Sequence, residues 1–228
     1  TPFELQNDFS VAILGLSNFF REDAAVTAQT MQIGNKPCHI YGETHAEYLL
    51  FQMTGEHELQ SMESEVAAIA QSAHRFLFAA IPVESWNDAL SPWEAPAVWG
   101  KQGFGGNAGD TLRFLTEQVI PTLKRQFPLP ENVKIILGGY SLAGLFALWA
   151  STQTNLFYGI AAASPSVWFP GWMEHEQQHP IQAQRVYLSL GDKEEHTKNA
   201  VMAVVSDNIR TLHSRLIERG ADCTLEWN

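Results

Sequence analysis

Between Val133 and Trp149 an apolar, β-branched run passes through Gly138-Gly139-Tyr140-Ser141 directly into a run of strong helix formers. Val133 to Leu137 is too short for a buried helix and is closed by glycines, which is the pattern of a fully buried parallel strand. Leu142 to Ala150 reads as the helix that follows. A serine at such a junction is held on a tight, strained turn with its hydroxyl above the sheet edge, and small residues two before and two after it let strand and helix pass closely. Gly139 and Ala143 hold those positions, so Ser141 is the expected nucleophile of a nucleophile elbow. The pattern is one methyl group away from G-x-S-x-G, and Gly144 follows at once. The competing reading makes Ser141 an ordinary N-cap; strand, turn and helix all falling where the elbow needs them favours the nucleophile.

The remainder of the chain bounds what this elbow can belong to. A length of 228 residues with 45% apolar and 17% charged residues fits one globular domain with one sizeable core, and no apolar run is long enough for a membrane span. A net charge of −11, from 14 basic and 25 acidic residues, argues against nucleic acid as partner. Cys38 and Cys223 fit neither a zinc site nor a disulfide framework, which makes a reducing cytoplasm the simplest location. The apolar stretch 10–20 follows Glu4 and Asp8 rather than a basic segment, against a secretory signal. Residues 1–30 are expected to be an N-terminal extension and residues 31–228 a single domain.

From Cys38 onward strand-like and helix-like segments alternate. Strands are expected at Cys38–Tyr41, Tyr48–Met53, Arg75–Val83, Phe157–Ala163, Arg185–Leu190 and Cys223–Trp227 besides the elbow strand, and helices at Leu59–Ala73, Thr111–Phe127, Trp172–Gln178 and Thr197–Arg219. Pro121 is expected to bend or break the helix that contains it. The alternation predicts an α/β fold with a mostly parallel central sheet flanked by helices, a three-layer αβα sandwich, with ligands outside the carboxyl ends of the strands. The long connection from Glu84 to Asp110 holds Trp86, Trp93 and Trp99 and the run Gly103 to Gly109, and its aromatics predict an ordered lid or pocket wall. That glycine run lacks a P-loop ending, so no nucleotide or other cofactor is expected.

A serine hydroxyl needs a histidine base, itself oriented by a carboxylate. Leu190-Gly-Asp-Lys-Glu-Glu-His196 offers the acid after the second strand beyond the elbow, with Glu194 first and Asp192 and Glu195 as alternatives. The plain alternative is that these acids merely precede a helix. Gly139-Tyr-Ser-Leu-Ala-Gly144, Ala163-Ser-Pro-Ser-Val-Trp168 and Gly191-Asp-Lys-Glu-Glu together resemble the esterase branch of the α/β-hydrolase superfamily, related to esterase D and the enterobactin esterases, over most of residues 38–228. The resemblance implies an α/β-hydrolase fold, Ser141 as nucleophile, the acid in the Gly191–Glu195 turn, and a histidine a few residues beyond the strand Cys223–Trp227, past Asn228, so that the domain is expected to lack its C-terminal end here. Among the histidines present, His196 is the substitute nearest the acid turn. His175 and His179 have the i, i+4 spacing of a metal pair, but Pro180 and glutamine-rich surroundings favour an exposed helix end, and no metal is expected. The oxyanion hole is expected from the Leu142 N–H and an amide after the Arg75–Val83 strand, with Val83, Glu84 and Trp86 as candidates. Trp86, Tyr140, Trp168 and Phe169 are the expected pocket residues, while Ser164 and Ser166 lack an elbow. The expected activity is that of a serine hydrolase on a small-molecule carboxylic ester; a thioesterase, an acyl-peptide hydrolase, or a catalytically incomplete binding protein are the alternatives.

Overall fold

A computed structural model describes residues 27–42, 45–71, 73–98, 100–197 and 199–228, the side chains of Thr27 and Glu195 excepted. The apolar stretch 10–20, most of the expected extension, and Trp99 lie outside the described residues. The elements in chain order are β1 (Thr27–Ile33), β2 (Lys36–Gly42), β3 (Tyr48–Thr54), α1 (Met62–Ala70), β4 (Phe76–Pro82), α2 (Trp86–Leu90), β5 (Glu94–Ala95), β6 (Phe104–Gly105), α3 (Ala108–Phe114) and α4 (Ile120–Gln126). There follow β7 (Lys134–Tyr140), α5 (Leu142–Gln153), β8 (Gly159–Ala163), α6 (Trp172–Gln178), β9 (Arg185–Leu190), α7 (Val205–Glu218) and β10 (Asp222–Trp227).

Among the described residues, eight strands form one sheet in the order β1-β2-β4-β3-β7-β8-β9-β10. The ladders from β4 to β10 are all parallel, and β2 is antiparallel to both β1 and β4. Strict alternation along the central strands divides the core between two faces. Leu49, Phe51 and Met53 of β3, with Ile135 and Leu137 of β7, pack beneath α4, α5 and α7. Leu50 and Ile136 face the other way, against Met62, Val66 and Ile69 of α1. Helices on both faces of a mostly parallel sheet are the architecture read from the sequence.

The chain winds outward from β3 to β4 and then returns past β3 to β7, so the order reverses between β3 and β7. In open α/β sheets such a reversal opens a crevice at the carboxyl ends of the two strands. Those ends are Thr54 and Tyr140.

Several boundaries differ from expectation for identifiable reasons. β1 crosses Met31, the residue at which the domain was expected to begin, and pairs with β2 from Thr27 opposite Gly42 to Ile33 opposite Lys36. The helix expected at Thr197 begins only at Val205. Upstream, Thr197 Oγ1 accepts from the Asn199 N–H and Asn199 Oδ1 from the Val201 N–H, local bonds that compete with helix. Around Pro121, α3 passes through a widened π turn, Leu115–Val119, into α4, with the Ile120 N–H bonded to Leu115 O five residues back. Proline has no N–H to continue the α ladder, and the wide turn takes up the mismatch without breaking the helix.

Candidate active site

At the end of β7, Ser141 adopts φ 57°, ψ −118°, a conformation L-residues rarely hold, and α5 starts with the next residue. Neighbouring backbone holds the strain: the Ser141 N–H donates to Ala163 O (3.0 Å), and Ser141 O accepts from the N–H of Leu145 (3.1 Å) and of Ser166 (3.0 Å). The need for small flanking residues is visible in the geometry. A Cβ on Gly139 would lie 2.5 Å from the Ala143 Cβ, so strand and helix touch here and one methyl group is all the gap admits. Ser141 Oγ lies 3.3 Å from Ser166 Oγ.

The parallel register carries the rim of the sheet onward from this serine. Tyr140 pairs with Ala163, Ala163 with Ser189, and Leu190 with Trp227. Just above that line, Glu194 folds back into its own turn, where Oε1 accepts the Gly191 N–H (3.0 Å) and the Ser164 hydroxyl (2.5 Å). Of the two acids whose side chains are described, Glu194 therefore points into the rim, whereas Asp192 is exposed; the Glu195 side chain lies outside the described residues. The Asp192 N–H donates to Asn228 O (2.7 Å) and the Asn228 N–H to Leu190 O (3.1 Å), so the backbone at Asn228 adjoins the acid turn. His196 closes the 3-10 turn Glu194–His196 and is exposed. Among the described residues no histidine is hydrogen-bonded to Ser141 or Glu194. His175 and His179 stack at 4.5 Å, and His175 Nε2 lies 3.1 Å from Thr152 Oγ1.

The expected oxyanion amides separate. The Leu142 N–H, at the first position of α5, makes no hydrogen bond among the described residues, as a free helix N-terminal donor should. Val83 is a correction: its N–H donates to Thr54 O (2.9 Å), extending the β3–β4 ladder, and is not free to bind an oxyanion. The strand order also bears on Glu84 and Trp86. β3 lies between β4 and β7, so Glu84 and Trp86 stand two strands, about 10 Å, from the elbow strand, while the connection after β3 stands one strand, about 5 Å, away. Gln52 pairs with Gly138, which brings Gly55 level with Ser141. That turn is well held: the Gly55 N–H donates to Glu58 Oε2 (2.7 Å) and Gly55 O accepts the Glu58 N–H (3.1 Å). The Glu56 and His57 amides are left at its apex.

The pocket aromatics divide as well. Tyr140 is exposed beside Ser141, and Trp86 is half-buried against the core. Trp168 and Phe169 are buried, Phe169 to 2% exposure. They pack with Phe104 and Trp93, and the Trp93 indole N–H donates to Pro170 O (2.9 Å). These contacts fasten Trp93 and Phe104 of the Glu84–Asp110 connection onto the turn after β8. At Gly106 (φ 75°) a Cβ would lie 2.6 Å from Trp93 and Glu94 backbone, so this glycine serves close packing of the β5–β6 pair.

The model of the family described as "Putative esterase" matches residues 60–222. The chain belongs to this esterase family. Solved structures of similar fold include an IroE-like serine hydrolase from Shewanella oneidensis, 15% identical with a TM-score of 0.71 over 90% of this chain and 73% of that one. The BES protein from Bacillus cereus is 18% identical with a TM-score of 0.62, covering 93% of this chain and 91% of the other. The enterobactin esterase FES from Shigella flexneri is 15% identical with a TM-score of 0.66, covering 90% and 54%. The Bacillus subtilis protein YbbA, described as uncharacterized, is 25% identical over 172 residues, 72% of this chain and 67% of that protein. The fold is that of the α/β-hydrolases.

In this esterase-family chain the turn Gly55–Glu58 is one element not read from the sequence. Its signal was present as Gly55 followed three residues later by a glutamate, the spacing of a capping turn, but its position beside the elbow follows only from the strand order.

Proposed function

We propose that the protein is a serine hydrolase acting on small-molecule carboxylic esters through an acyl-enzyme on Ser141. The observation that carries this reading is the strained conformation of Ser141 at the strand–helix junction, beside an unbonded Leu142 amide. In the reaction, Ser141 Oγ attacks the ester carbonyl carbon and its proton passes to a histidine base. The oxygen of the tetrahedral intermediate is held by the Leu142 N–H and by an amide of the Gly55–Glu58 turn. The same proton then goes to the departing alcohol oxygen, leaving an acyl group on Ser141 that an activated water removes.

Glu194 is the orienting acid in this reading. Two donors share its Oε1, while Oε2 accepts no hydrogen bond among the described residues and remains for the base. The base is proposed to be a histidine presented to Glu194 Oε2 at this rim, where the Asn228 backbone is bonded to the Asp192 N–H. Family membership and the neighbours named as esterases and hydrolases support the reaction class.

A screen of nitrophenyl esters of increasing acyl length tests the reading. Hydrolysis by the full-length protein, reduced to background in Ser141→Ala with the fold intact, is the expected result. Equal turnover by both proteins contradicts it.

A further inference from the structure

Ser164 has no part in the nucleophilic chemistry, yet its conformation needs a cause. It follows the last residue of β8, between the nucleophile strand β7 and the acid strand β9, and is 5% exposed. Its φ of 42° lies in the left-handed region, where glycine or asparagine is accommodated at less cost than serine. Its N–H donates to Ser189 O (2.9 Å), continuing the ladder, and its hydroxyl donates to Glu194 Oε1 (2.5 Å). Two residues on, the Ser166 N–H holds the Ser141 carbonyl. One four-residue turn, Ala163 to Ser166, thus grips the backbone of the proposed nucleophile and the carboxylate of the proposed acid.

We propose that Ser164 is the positioning residue of the acid: its hydroxyl, together with the Gly191 amide, occupies Glu194 Oε1 and turns Oε2 toward the base. The inference rests on the serine-hydrolase reading above and adds to it a reason for a strained serine where the backbone favours glycine. Without the hydroxyl, Glu194 keeps only the Gly191 N–H and swings within its turn. The base loses its fixed orientation, and the less-satisfied carboxylate holds the base's proton more tightly. Ser164 itself does not touch substrate.

The test uses full-length protein and the variants Ser164→Gly and Ser164→Asn, with Ser141→Ala as the blank. Glycine suits the positive φ, so Ser164→Gly is expected to keep or raise the melting temperature. Its kcat on a nitrophenyl ester is expected to fall about ten- to a hundredfold, the usual loss when a group supporting a functional ligand is removed, with KM within about twofold. The acidic limb of its kcat/KM profile is expected to move to higher pH. Ser164→Asn tolerates the same backbone and carries an N–H donor, so it is expected to recover part of the rate. A Ser164→Gly variant with unchanged kcat and unchanged pH profile overturns the proposal. So does a lowered melting temperature with no recovery in Ser164→Asn, which is the signature of a purely structural residue. If the unmodified protein neither hydrolyses esters nor reacts at Ser141, the hydrolase reading fails first and this inference falls with it.

Discussion

Replacing Glu65 by glutamine should stabilise the protein at neutral pH and leave it almost unchanged in acid. Glu65 is buried on α1, where it accepts a hydrogen bond from Gln52 Nε2 (3.4 Å). Burial pushes its carboxyl from an ordinary value of 4.5 up to about 7; the Gln52 bond opposes the rise and the charge of Glu58 adds to it. Because the folded value lies above the unfolded one, the native state binds the extra proton between about 4.5 and 7, and stability falls as pH rises through that window. At about 1.4 kcal/mol per pH unit across that gap, ionisation costs the folded state on the order of 3 kcal/mol. A glutamine never ionises, and its amide can donate to Gln52 Oε1, which is buried without a partner. Urea unfolding of both proteins from pH 4 to pH 8.5 gives the difference directly, with the m-value as control. The Glu65→Gln advantage should be small and flat below about pH 4.5, grow through the window, and level off near 3 kcal/mol above pH 7.5. A difference that does not change with pH, or a variant less stable at pH 8, refutes the argument.

Two further substitutions test the packing that holds the rim. Gly139→Ala puts a methyl group into a strand–helix contact that has no room for it and should cost about 1–3 kcal/mol in urea unfolding, with ester hydrolysis lost as the elbow is displaced. Glu176, fully buried between Arg215 (2.9 Å) and Arg219, clamps α6 to α7. Glu176→Gln leaves two guanidinium groups without their carboxylate and should cost about 3–5 kcal/mol in the same measurement.

The elbow was legible because its requirements are local: a buried strand, small residues at 139 and 143, and a helix at once. The Gly191–Glu194 turn was legible for a similar reason, since the two residues close on each other within four positions. The turn after β3, proposed to hold the second oxyanion donor, was not. Thr27-Ala-Gln-Thr-Met-Gln-Ile33 is a polar strand in which, among the described side chains, Ile33 alone is buried, so it carries no apolar alternation and went unread. A count of strands that starts at Cys38 then makes Arg75–Val83 the third and points the oxyanion loop to Val83, Glu84 and Trp86. Pairing order, which only the fold reveals, puts β3 and its turn at Gly55 beside the elbow. The aromatics after β8 are a different case: a run such as Val167-Trp-Phe169 has the same composition whether it lines a cleft or fills the space beneath one.

The central claim is that Ser141 is an activated nucleophile. Fluorophosphonate labelling of the folded full-length protein, followed by peptide mapping by mass spectrometry, tests it most directly. The account predicts a single adduct on the peptide containing Ser141, absent in Ser141→Ala. A folded protein that takes no label, or takes it on Ser164 or Ser166, contradicts it.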